Sequence, residues 1–104
     1  MTRNEIMSST PEQLASRYSS AVLESEMGYY APADFDCYLG NARYTDLGGE
    51  IVTQETIDEC EQMLVEWFDE DDKDRPDDVD AERLAIAYHL WAASCYASAR
   101  EYES

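Results

Sequence analysis

The sequence predicts an all-α protein: an antiparallel bundle of three long helices, with a short segment between the first and second that is irregular, helical or a hairpin. Three observations predict it. Apolar residues recur at helical spacing in three stretches, 14–27, 57–68 and 84–102. Each stretch is preceded by a residue suited to cap a helix, Thr10, Thr53, and Asp78 or Asp80. An apolar fraction of 44%, with eight Tyr, two Trp and two Phe, gives a single acidic domain over residues 1–104 enough side chain to build one modest core.

Residues 1–9 are polar and Ser-rich, and the expectation is a frayed end from which Ile6 and Met7 can dock. The first helix starts at Pro11 behind Thr10, with Gln13 completing a capping box. Its inward residues are Leu14, Tyr18, Val22 with Ala21, and Met27, and Gly28 is expected to end it. In the middle segment Phe35, Cys37 and Leu39 alternate with Asp36 and Tyr38 ahead of Gly40-Asn41, a pattern that fits a hairpin. A short helix over 32–39, opened by Pro32 and closed by Gly40, fits slightly better, because an isolated hairpin is marginal without further strands. Gly48-Gly49 forms a joint in either case.

The second long helix runs from Gln54 to about Asp69 with the inward stripe Ile57, Cys60, Leu64, Trp67 and Phe68, and Met63 at its edge. Pro76 interrupts the chain. The last helix, from about Val79 to Glu101, carries Leu84, Tyr88 with Ala87, Trp91, Cys95 and Tyr102, widened by Ile86, Leu90 and several Ala that allow close helix approach.

Charge dominates the functional reading. The net charge is −17; residues 1–52 hold 8 acids against 3 bases, and residues 53–104 hold 16 against 4. Such a field argues against binding nucleic acid or an anionic membrane directly and favours basic partners. Between Asp69 and Glu82 stand nine carboxylates, too many like charges for any core. The second helix adds Asp58, Glu59, Glu61 and Glu66 outward with no base among them, although opposite charges four apart would stabilise a helix. The partner-binding surface is therefore assigned to Asp58, Glu59, Glu66, Asp69, Glu70, Asp71, Asp72, Asp74, Asp77 and Asp78.

Other chemistry finds little support. A calcium loop starting at Asp69 or Asp71 places Lys73 at a ligand position, one starting at Asp72 places Pro76 there, and the sharp-turn glycine is missing, so no metal or other cofactor is expected. His89 is the single histidine and has no partner at metal or catalytic spacing. Cys60 and Cys95 lie on inward stripes, Cys37 stands apart, and an odd count without CxxC reads as reduced thiols of a cytoplasmic chain. The chain has neither a signal-peptide core at its start nor an apolar run of membrane-spanning length. Tyr29, Tyr30, Tyr38 and Tyr44 either fill the end of the bundle or, beside carboxylates, offer arginine a surface. No enzyme is expected.

In size, charge and the order helix, acidic ridge, helix over 53–104, the chain resembles the small acidic helical anti-defence proteins of phages and mobile elements: DNA-mimicking antirestriction proteins and anti-CRISPR proteins. The likeness is one of type and carries no residue across. It implies a stoichiometric inhibitor acting in the host cytoplasm, without cofactor, that occupies the basic DNA- or RNA-binding channel of a CRISPR effector or restriction enzyme. An immunity protein or antitoxin against a basic nuclease would use the same electrostatics. General adaptation to high salt would instead coat every face evenly, against the unequal halves.

Overall fold

The computed structural model describes residues 1–32, 35–39, 50–68 and 80–103. These residues form six helices: α1 (Arg3–Ser8), α2 (Pro11–Arg17), α3 (Ser20–Tyr30), α4 (Phe35–Leu39), α5 (Gln54–Phe68) and α6 (Ala81–Glu103). Among the described residues there is no strand, and no helix is long and apolar enough to cross a membrane. The protein is helical, as its periodicity predicts. The positions of Gly40, Gly48-Gly49, Tyr44 and Pro76 lie outside the described residues.

The whole is organised on α6, against which α1, α2, α3 and α5 all pack. From Leu84 to Leu90 every residue of α6 is buried, the mark of a helix enclosed on all sides. Its start is fixed by Asp80, whose Oδ1 accepts from the Arg83 amide at 2.8 Å. Two apolar clusters flank it. One joins Phe35, Val52, Cys60, Met63 and Leu64 to Leu84 and Tyr88; the other joins Ile6, Leu14 and Leu23 to Ile86, Leu90, Ala93 and Ala97. Met7, Met27 and Tyr30 pack against both clusters and tie them together.

The first turn of α2 has the expected capping box, with the Gln13 amide donating to Thr10 Oγ1 at 3.1 Å and the Thr10 amide to Gln13 Oε1 at 2.9 Å. The single first helix does not form. Tyr18 takes an extended backbone (φ −131°, ψ 149°) and Ser19 caps a new helix by accepting from the Val22 amide at 3.3 Å. A serine hydroxyl competes here with the helical ladder, and the break shifts the phase of residues 20–30. Leu23 is fully buried, whereas Val22, assigned inward by an unbroken period, is exposed. Gly28 does not end the helix either. The helix runs on to Tyr30 and stops at Ala31, which stands before Pro32 and has the extended backbone that a following proline favours.

The N-terminus is ordered rather than frayed. Thr2 caps α1 by accepting from the Glu5 amide at 3.1 Å, Ile6 is fully buried, and the Val52 amide donates to the Met7 carbonyl at 2.9 Å. Residues 35–39 adopt the helical alternative, with the Phe35 amide donating to Pro32 O at 3.1 Å. Thr53 caps α5 as expected, in a reciprocal arrangement with Thr56 (Thr53 N to Thr56 Oγ1, 2.8 Å).

In α6 the inward assignment fails at two places. Cys95 is exposed, and Tyr102 is 93% exposed. Beyond Trp91 the small Ala93 and Ala97 take the buried positions, packed in the cluster with Ile6, Leu14 and Leu23.

Candidate interaction surface

The exposed face of α5 holds Glu55, Asp58, Glu59, Glu61 and Glu66, and the helix has no base. Residues 55, 58, 59, 62 and 66 follow one another at helical spacing, so four of these acids and Gln62 form a single stripe. From Glu55 to Glu66 the axis rises about 16 Å at about 1.5 Å per residue. Counting Glu61 beside the stripe, five carboxylates over that length give one per about 3–4 Å, of the order of the roughly 3.4 Å per charge along one strand of DNA and about half the density of a duplex. Within the helix, Gln54 Nε2 donates to Asp58 Oδ1 at 3.0 Å.

Of the ten residues assigned to the surface, Asp58, Glu59 and Glu66 are exposed together on α5. Asp69, Glu70, Asp71, Asp72, Asp74, Asp77 and Asp78 lie outside the described residues. Two further acids of the 69–82 stretch serve the fold: Asp80 caps α6, and Glu82 forms an ion pair with Arg3.

Arg17 and Arg83 are engaged away from α5. Arg17 Nη1 lies 3.7 Å from Glu5 Oε1 and donates to Ser9 Oγ at 3.1 Å, and Arg83 Nη2 donates to the Tyr29 carbonyl at 2.6 Å. The ion pairs Arg3–Glu82 and Arg17–Glu5 each join α1 to another helix. The α5 stripe thus keeps its sign unmixed by any base of its own helix.

His89 is a structural residue. It is buried, its Nε2–H donates to the Ser9 carbonyl at 2.6 Å, and it holds the end of α1 against α6. Burial pulls its pKa below the ordinary value, and hydrogen bonding to the Ser9 and Ile6 backbone offsets this in part. Cys60 is buried and its thiol is pushed up to about 12, first by burial and then by Glu59, so it is no nucleophile at neutral pH. The Cys95 thiol is raised by burial and by Glu24. The Cys37 side chain lies outside the described part. Among the described residues no group of three His, Cys, Asp or Glu side chains could hold a metal ion.

Among the described residues, α6 is bordered by grooves that the helical periodicity did not single out, two of them larger than 500 Å³. One, about 560 Å³, lies against α2 between Thr10, Gln13, Ser16, Tyr96 and Arg100; the other, about 520 Å³, lies against α3. The spacing of Trp91, Ser94, Cys95 and Ser98 does mark a common face for the second, but an unbroken apolar period assigns Cys95 to the core and so hides the opening. No family model, no curated protein and no solved structure matches the chain.

Proposed function

We propose that the protein is a non-enzymatic inhibitor whose acidic surface imitates nucleic acid and blocks the basic DNA- or RNA-binding site of a host defence complex, a CRISPR effector or a restriction enzyme. In this reading the helices form an antiparallel bundle that serves as a rigid support, and the protein works in the cytoplasm of a phage-infected host. The observation that carries it is α5: a fully formed helix with five outward carboxylates, no base, and a charge spacing near that of a nucleic-acid strand. The stripe is costly to the helix, since Glu55 and Glu59 stand four residues apart with like charge. A basic partner compensates that repulsion by pairing with both.

The same field would draw a basic channel in rapidly and in a salt-dependent way. The test is a DNA-binding assay on purified CRISPR effector and restriction complexes, with the wild-type protein added in stoichiometric amounts at low and moderate salt. Loss of DNA binding that is relieved by salt supports the reading. Reversal of Asp58, Glu59 and Glu66, and separately of Asp69, Asp71, Asp72 and Asp74, should abolish inhibition with helicity unchanged by circular dichroism. Full inhibition by both reversed proteins would end the proposal. Capture of a basic nuclease toxin in place of a DNA-binding complex would transfer the same surface to an immunity protein.

A further inference from the structure

We infer that the groove between α3 and α6 is an acceptor for an arginine side chain of a basic partner protein. The groove is about 520 Å³ and is lined by Glu24 and Met27 from α3 and by Trp91, Ser94, Cys95 and Ser98 from α6. The four α6 residues are spaced 0, 3, 4 and 7, so they share one helix face, and Glu24 and Met27, three apart, share a face of α3.

The chemistry of the lining selects the occupant. Trp91 is half-buried, packs against the apolar cluster around Tyr88 and Leu64, and lines the groove. Indole is the best aromatic partner for a cation, and the thioether of Met27 adapts to an alkyl stem. Ser94 Oγ donates its proton to the Trp91 carbonyl at 2.7 Å, so what it has left to offer a ligand is oxygen lone pairs. Glu24 is exposed, is the one charged residue of the lining among the described residues, and lies near enough to Cys95 to raise its thiol. It has no ion pair among the described residues.

An aromatic surface with a carboxylate and a serine acceptor suits a group that carries donors and no acceptor. Guanidinium has five such donors and a plane that stacks on indole, which lysine lacks. A second copy of this chain would bring another net charge of −17 to the same place, and a neutral apolar ligand would leave Glu24 unused. The inference rests on the proposed function for its partner, since a protein that binds nucleic acid supplies arginines, yet the groove is separate from the α5 stripe and can be tested without any partner.

The probe is N-acetyl-arginine methylamide, titrated into the full chain and followed by the Trp91 indole and the backbone amides of Glu24, Ser94 and Ser98 in NMR spectra. Saturable shifts at these positions are expected, with the neutral citrulline analogue about five- to twenty-fold weaker and Glu24→Gln reducing arginine affinity about five-fold. Equal binding of citrulline, shifts confined to α5, or no saturable shift would each overturn the inference. With an inhibited complex in hand, Ser98→Phe should fill the groove from its rim and weaken inhibition about five-fold or more. Unaltered inhibition by Ser98→Phe, with reversal of α5 still abolishing it, would overturn the groove while leaving the proposed function standing. Failure of that function would show instead as a complex untouched by the wild-type protein.

Discussion

On one side of α6 the three short helices α1 to α3 are stitched together by polar side chains. Tyr18 donates to Glu5 at 2.6 Å, Arg17 joins Glu5 and Ser9, His89 holds Ser9, and the Ser20 hydroxyl donates to Glu101 at 2.6 Å. On the other side α5 lays an apolar stripe of Cys60, Met63 and Leu64 on α6 and turns its acids outward. Two acids on the first side do structural work: hydrogen bonding from Ser20 holds the Glu101 carboxyl below the usual range, and the bond to Glu5 raises the Tyr18 hydroxyl. The acids of α5 meet no base of their own helix. Among the described acids, Glu5 and Glu101 are therefore tied to partners on the first side, whereas Asp58, Glu59 and Glu66 are exposed together on α5.

This division is tested most strongly by removing core side chains on either side. Leu90→Ala should empty part of the α1–α3 cluster and Leu64→Ala part of the α5 cluster; both residues are fully buried, and each change should cost about 2–5 kcal/mol in urea unfolding. Hydrogen exchange should then separate the two sides. Leu90→Ala should deprotect α1 to α3 first, and Leu64→Ala should deprotect α5 first. Uniform deprotection by both would mean that α6 binds its two flanks into a single cooperative unit.

Next in size is the His89 latch. His89→Ala leaves the Ser9 carbonyl buried without its donor and should cost about 1–3 kcal/mol. Because burial lowers the folded pKa of His89 below its ordinary 6.5, the unfolded chain binds more protons between the two values. The stability from the neutral imidazole is thus present in full above about pH 6.5 and is lost as pH falls through the folded value. Urea midpoints at pH 7.5 and 5.5 should show that loss in the wild type. His89→Gln, which keeps a donor near the Nε2 position without a titrating group, should flatten it; a wild-type midpoint that rises on acidification would contradict the assignment.

The two sides also differ in how far they can be read from sequence. The start and stripe of α5 are legible because one unbroken amphipathic period runs from Thr53 to Phe68 and a single residue type caps it. In 1–30 the same apolar period misleads, because a hydroxyl at Ser19 outweighs it locally, and periodicity has no term for a side chain that caps mid-pattern. Ile6 can be named as a docking residue, but the order of α1 depends on partners far along the chain, Val52 and His89, which no local pattern contains. Of the site, the acids of α5 can be read from outward spacing alone. The groove at Trp91 cannot, since its opening depends on where α3 lies after the break at Tyr18.

A smaller effect comes from that break. Gly28 sits inside α3, and a Cβ added there would meet nothing within 4 Å. Gly28→Ala should therefore stabilise the protein by about 0.4–1 kcal/mol, chiefly by restricting the unfolded chain. Destabilisation on the same urea scale would show that α3 is not helical through residue 28 in solution.

A similarly small change in stability is expected on α5, where it is coupled to function. Glu59→Lys places a cation four residues after Glu55, in the favourable order along a helix, and replaces a repulsive pair by an attractive one. The gain should be about 0.2–0.5 kcal/mol for the new pair with a similar amount for the lost repulsion, and it should shrink in about 0.5 M salt as the charges are screened. If the stripe exists to meet a basic partner, this more stable protein should be the poorer inhibitor, because a cation now stands in the middle of the displayed acids. An α5 that becomes both more stable and no less inhibitory would mean that its unmixed sign serves neither the helix nor the partner, and the division between structural and displayed acids would lose its basis.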